Sequence, residues 1–246
     1  MSACNFTGIR IVTGSGIIAE ESRDVSGFDA VDISGSGDVI ITQGDSEGVT
    51  IEAEENLLPY IRTDVRGRTL YIYIDHTNLL TINTSRPMRF HVSMQDVTGL
   101  ETSGSGSITS HKILTDRLDI HISGSGSVKI ENLKAGQLTA DVSGSGDIKF
   151  DNLETDRLRI DISGSGDSVI KGKAEIQELK ISGSGACDHS SLKSKDVSID
   201  VSGAGSVLVD AENTLDVIIS GSGDVVYSGS PKMTQKISGS GDIRAK

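Results

Sequence analysis

The sequence predicts an all-β solenoid, a single chain wound into coils of about 20 residues in which each strand pairs with its equivalent one turn away. Three observations predict it. The tetrapeptide Ser-Gly-Ser/Ala-Gly begins at Ser34, Ser103, Ser123, Ser143, Ser163, Ser182, Ser202, Ser220 and Ser238, and from Ser103 onward the steps are 20, 20, 20, 19, 20, 18 and 18 residues. On both sides of the tetrapeptide apolar and polar residues alternate, as in Val128-Lys129-Ile130 and Ile148-Lys149-Phe150, which is the period of a strand. The repeating unit is also shorter than the ~30 residues a strand–helix–strand crossover needs.

Each part of the unit has its own reason. The residue before each serine is β-branched: Ile33, Thr102, Ile122, Val142, Ile162, Ile181, Val201, Ile219 and Ile237. Such side chains favour a pleated, half-buried surface. The tetrapeptide has the composition of a flexible spacer, yet a spacer would not keep this period. Its glycines serve either an inward column where walls approach closely or a turn with φ > 0. Two glycines per coil cost roughly 1–2 kcal/mol in backbone entropy. Flanking aliphatics contribute about 1.5–3 kcal/mol each when buried, so stacked coils are favoured and a lone coil is not. Glu131-Asn132-Leu133 and Asp151-Asn152-Leu153, 20 residues apart, mark a second corner, followed by a short connection. A variant tetrapeptide, Thr13-Gly14-Ser15-Gly16, comes first in the chain.

Residues 45–100 are less regular. Val49–Ala53, Leu70–Ile74 and Arg89–Met94 alternate like strands, and Leu57-Leu58-Pro59 suits a short helical turn. No tetrapeptide lies between 37 and 103, a gap worth three or four coils, which reads as longer, decorated coils or an N-terminal subdomain continuous with the solenoid.

Composition narrows the partners. The chain has 246 residues, 35% hydrophobic and 24% charged, enough to bury a core. A net charge of −12 argues against nucleic acid as partner. No stretch of ~18 apolar residues is present to span a bilayer. Two cysteines, Cys4 and Cys187, make no disulfide framework. Ser2-Ala3-Cys4 matches the tail of a bacterial lipoprotein cleavage site, which makes Cys4 a lipidation candidate and a lipid anchor the one expected route to a membrane. An apolar leader would precede such a site, so Met1 need not be the native start.

The segments Arg23-Asp24-Val25-Ser26-Gly27-Phe28, Ile33-Ser34-Gly35-Ser36-Gly37-Asp38-Val39 and Gln43-Gly44 resemble a bacterial family, the "putative auto-transporter adhesin, head GIN domain" proteins. The stretch from Glu54 to Ile72, with Asn56-Leu57-Leu58 and Arg68-Thr69-Leu70, resembles it too, and the later tetrapeptides extend the likeness over nearly the whole chain. The resemblance implies a right-handed parallel β-helix, an envelope or extracellular location, commonly as a lipoprotein, and no established activity or catalytic residue.

Several residue patterns bear on chemistry. The Asp after the tetrapeptide, as at Asp147 and Asp167, could form a calcium ladder like that of a glycine-rich β-roll. The β-roll needs two motifs per coil where this chain has one, and other copies carry Ser107, Ser127, Ser206 or Ala186. Outward carboxylates such as Asp119, Asp141, Asp161 and Asp200, stacked about 4.8 Å apart, could raise one another's pKa and serve a polysaccharide lyase or hydrolase. Lys180 and Lys236 interrupt that column. His76, His91, His111, His121 and His189 lack metal-ligand spacing and read as structural or surface residues. Cys187 reads as a small buried apolar residue. Asn5-Phe6-Thr7 and Asn83-Thr84-Ser85 fit a glycosylation sequon by coincidence.

The expectation is a single all-β domain over residues 1–246, a right-handed parallel β-helix, irregular over 1–100 and regular over 101–246. Ten to twelve coils would make it about 50–60 Å long. The expected role is a non-catalytic cell-envelope or surface module in adhesion or assembly, with no cofactor. The alternatives are a polysaccharide-binding or polysaccharide-degrading protein and a calcium-stabilised β-roll. Surface glycans or proteins are candidate partners. The unpaired backbone of the last coil, Ser238-Gly239-Ser240-Gly241-Asp242-Ile243, suggests self-association there.

Overall fold

The computed structural model describes residues 10–75 and 80–246. Nineteen strands follow among them: β1 (Arg10–Thr13), β2 (Ile18–Arg23), β3 (Ala30–Gly35), β4 (Asp38–Gln43), β5 (Gly48–Glu54), β6 (Ile61–Arg66), β7 (Thr69–Ile74), β8 (Leu80–Asn83), β9 (Arg89–Met94), β10 (Gly99–Gly104), β11 (Ser107–Gly124), β12 (Ser127–Gly144), β13 (Asp147–Gly164), β14 (Ser168–Gly183), β15 (Ala186–Gly203), β16 (Ser206–Gly221), β17 (Asp224–Gly229), β18 (Lys232–Gly239) and β19 (Asp242–Ala245). The one helical element described is the 3-10 turn Leu58–Tyr60, where the sequence suggested a helical turn.

From β10 onward every pairing is parallel, and the rungs keep one register. Ser123 pairs with Ser103 on one side and Ser143 on the other, and the file continues through Ser163, Ser182, Ser202, Ser220 and Ser238. The β11–β12 ladder skips His111 and Asp116, so each regular coil divides into three straight runs. One corner lies at the tetrapeptide and one at Glu131-Asn132. The third, at Asp116, Gly136 and Asp156, was not legible in the sequence, where it fell inside the supposed short connection.

Alternation carries the apolar columns inward. Val128, Ile130, Leu133, Leu138, Ala140 and Val142 of one coil are all buried, and their equivalents in adjacent coils stack on them. Both proposed glycine roles are realised, one by each glycine. The first of each pair takes positive φ, for example 128° at Gly144, which L side chains rarely adopt. The second points inward. A Cβ on Gly146 would lie 2.6 Å from the Gly126 carbonyl oxygen and clash with the Cγ2 methyl of Ile122. The β-branched residue ahead of one tetrapeptide therefore fills the space left by the second glycine of the next.

About seven turns are wound, fewer than the ten to twelve expected. The difference lies in residues 44–98, which insert no coil between the first two tetrapeptides: Ser34 pairs directly with Ser103, and Gly35 with Gly104. Instead β7 and β9 add one rung beside β3 and β4, and antiparallel strands close that end, β6 on β7 and β5 on β9, with β2 on β5. Arg23 of β2 braces this cap by donating from Nη1 to the Ile61 carbonyl oxygen (2.7 Å) and from Nη2 to that of Leu58 (3.2 Å). The variant tetrapeptide stands outside the file. Its Gly16 N–H donates to Oε1 of the buried Glu54 (2.7 Å), which also accepts from the Ser85 hydroxyl (2.6 Å), while Oε2 accepts from the Ser85 N–H (2.9 Å). The Ser85 bonds hold the Glu54 carboxyl below its ordinary pKa.

Candidate functional site

Three polar constellations emerge from the coils. On the outer face the side chains largely engage one another. Lys134 Nζ donates to Glu154 Oε1 (2.9 Å), Lys173 approaches the same oxygen from the other side (3.5 Å), and the pair with Lys134 lowers the Glu154 pKa. Asn152 Nδ2 donates to Asn132 Oδ1 (3.3 Å) at the Asn-Leu corner. Arg159 reaches Glu178 (3.5 Å) beside Lys180 and Asp161 (3.8 Å), and Asp196 and Asp200 complete a shallow groove there.

The aspartates after the tetrapeptide serve the backbone. The Asp167 N–H donates to Asp147 Oδ1 (3.2 Å), and the Ala186 N–H to Asp167 Oδ1 (3.0 Å). Asp224 likewise accepts from the Asp242 N–H (3.2 Å), whereas Asp38 accepts from the Ser107 hydroxyl (2.5 Å). Among the described residues no three His, Cys, Asp or Glu side chains converge as a metal site.

The expected aspartate column is real for Asp141, Asp161 and Asp200, with Lys180 within it. Asp119 belongs instead to the neighbouring column with Thr139, Arg159 and Glu178, because it lies four residues before its serine and the others lie two. His121 occupies the aspartate column and contacts Asp141 (3.3 Å). The raised carboxylate pKa is found further along the file at half-buried Asp32, through burial first and the charge of its neighbour Glu101 second. Its Oδ1 has no hydrogen-bond partner among the described residues.

The third constellation is inside. His189 is fully buried, with Nε2 2.7 Å from the Ser168 hydroxyl and Nδ1 2.7 Å from Gln177 Nε2; the Ser194 hydroxyl donates to Gln177 Oε1 (2.7 Å). With the amide donating to Nδ1, the neutral ring presents its Nε2–H to Ser168. Burial pushes the His189 pKa down to about 3. These four residues take inward places held elsewhere by apolar or small side chains: Ser168 follows Ile148, Gln177 follows Leu158, Ser194 follows Ala174, and Val209 follows His189. The sequence reading missed the chain. The signal was available as four polar lapses clustered in neighbouring coils. A Ser–His pair suggests a nucleophile and base, but all four residues are closed off from solvent, so no substrate carbonyl can reach the hydroxyl. Cys187, the register partner of Ser168 one rung along, is buried as expected, its thiol pushed up to about 12 by that burial. His111 contacts Glu131 (2.6 Å) and His91 approaches Glu52 (3.8 Å) at the surface. Cys4, His76 and the Asn5 sequon lie outside the described residues.

The fold and these surfaces define a β-solenoid whose outward side chains are organised as ladders along the coils. The family model "Putative auto-transporter adhesin, head GIN domain" matches residues 27–231, and the chain belongs to that family. Among solved structures, a "putative lipid binding protein" from Parabacteroides distasonis is similar at 27% identity, with 96% of this chain and 100% of that one covered and a TM-score of 0.91. A "putative adhesin" from the same species shares 25% identity over 96% of this chain and 100% of its own, TM-score 0.92. One from Parabacteroides merdae shares 24% over 96% and 99%, TM-score 0.91, and bears on the fold alone. No curated protein matches the chain.

Proposed function

We propose that this protein is a non-catalytic module of the bacterial cell surface, acting in adhesion or assembly as a rigid body that displays fixed rows of Ser, Asp, Asn and ion-paired side chains. One observation carries the reading: the outward polar groups bond mainly across rungs, and the buried Ser168–His189 pair has no path to a substrate. Membership of an adhesin-like family supports a surface or envelope location, with Cys4 as the residue a lipid would modify. Binding of the folded chain to a broad glycan array and to intact cells tests it. The expected outcome is retention on a surface component with no change in that component. Release of shortened polysaccharide would replace this reading with an enzymatic one.

The groove along Arg159, Glu178 and Asp200 supports a second reading, in which the bound component is a polysaccharide. Loss of glycan retention in Arg159→Ala with folding unchanged would favour it. Phospholipid vesicles form the control arm, since one relative is described as lipid-binding.

A further inference from the structure

The two ends of the solenoid differ in charge, and among the described residues each ends in a strand with one unpaired edge. At the C-terminal end, among the described residues, β18 pairs only with β16 and β19 only with β17, so each has an edge of unpaired N–H and C=O groups. All of β18 is exposed, including Met233 (37%) and Ile237 (41%), although their counterparts one rung back, Leu215 and Ile219, are completely buried. That rung is half of a core. It also presents Lys232, Lys236, Arg244 and Lys246, all exposed, against a single carboxylate side chain, Asp242.

At the opposite end β2 pairs, among the described residues, only with β5. Ile17 (58%) and Ile18 (41%) are exposed beside its free edge. Here the charge is negative. Glu21 is paired with Arg23 (2.9 Å) and Glu52 with Arg89 (2.9 Å), which leaves as surplus charge Glu20, Asp24 just past the end of β2, and Glu55, whose N–H donates to the Ile17 carbonyl oxygen.

The geometry points to head-to-tail association of copies of this protein, the basic, open C-terminal rung of one docking by strand pairing against the acidic β2 end of the next. An exposed strand edge is a template for another strand. Opposite charges at the two ends favour this pairing, and the like charges of a head-to-head or tail-to-tail contact oppose the alternatives. Because the two contact surfaces are different, the interface is heterologous and repeats, giving linear stacks rather than closed dimers. The inference does not depend on what the outer faces bind.

Sedimentation velocity of the chain over a wide concentration range tests it. The mass should climb with concentration beyond a dimer, and less so as salt is raised. Two variants discriminate: a tail reversal, Lys232→Glu/Lys236→Glu/Arg244→Glu, and a head reversal, Glu20→Lys/Asp24→Lys/Glu55→Lys. Each alone should weaken self-association by about ten-fold or more, with circular dichroism showing both folded. Mixing the two should restore assembly, because each reversed end meets its complement. A monomer at every concentration would overturn the inference. So would a dimer that survives head reversal but not tail reversal, or association indifferent to both.

Discussion

Ile122 and Gly146 occupy one space: the isoleucine's Cγ2 methyl lies where a β-carbon on the glycine would have to be. The same relation joins Ile181 to Gly205 and Val201 to Gly223. The spacer-like tetrapeptide and the β-branched residue before it are two halves of a single packing unit, contributed by successive coils.

Gly146→Ala should therefore destabilise the protein by about 1–3 kcal/mol, the usual range for overpacking a filled core. Ser145→Ala, on the exposed side of the same corner, should stay within about 0.5 kcal/mol. Urea unfolding of the two variants checks the contrast.

The buried chain through His189 makes a non-additive prediction. His189→Val leaves the Ser168 hydroxyl and the Gln177 amide each short of a partner and should cost about 1–3 kcal/mol per unsatisfied group. Replacing the chain together, Ser168→Val with Gln177→Leu, His189→Val and Ser194→Ala, should recover that loss, since an apolar set of similar shape already fills the neighbouring coils. Chemical denaturation of the single and combined variants decides it.

The same histidine predicts an acid sensitivity. Its folded pKa of about 3 lies below the ordinary 6.5, so the unfolded chain binds more protons between those values. Its contribution is whole above pH 6.5 and is lost as pH falls towards 3, at up to about 1.4 kcal/mol per pH unit. The fully apolar variant should lack this component of the stability–pH slope.

Asp32 has the opposite sign. A raised folded carboxylate pKa disfavours the ionised native state, so the penalty is present above that pKa and is relieved in acid. Asp32→Asn should raise Tm at neutral pH by an amount equivalent to less than about 1 kcal/mol, and the gain should vanish at low pH. Paired melts at the two pH values measure it.

Glu54 gathers donors from Gly16 and Ser85 into the N-terminal cap. Glu54→Gln keeps the shape and loses the charge, and should speed amide exchange at Gly16 and Ser85 while leaving the rungs from 107 to 221 unchanged. In the wild-type protein the same loosening should begin as pH drops below the ordinary carboxylate range, because the folded pKa is depressed. Hydrogen exchange resolved by residue reads both.

The regular coils were legible because one period repeats every chemical event: Ile148 and Phe150 announce the strand, Ser143 to Gly146 the corner, and the interval fixes the rung. The third corner was hidden, since Asp116, Gly136, Asp156, Glu175 and Lys195 hold no one residue type along the file. The cap was hidden for a different reason. β5 and β9 alternate like any strand, and alternation does not distinguish a parallel neighbour from an antiparallel one. The direct contact of Ser34 with Ser103 needs 69 residues of chain to leave and return, which no local pattern encodes. The His189 chain was readable only after the inward columns were aligned, when Gln177 falls among leucines.

The register of Ser103 on Ser123 and Ser143 has a mechanical consequence. Backbone hydrogen bonds between rungs point along the rod, so tension applied end to end loads them a few at a time and the rod unwinds like thread from a spool. Each released coil would lengthen the chain by roughly 70 Å at about 3.3–3.6 Å per residue, giving a sawtooth of near-equal teeth instead of one abrupt rupture.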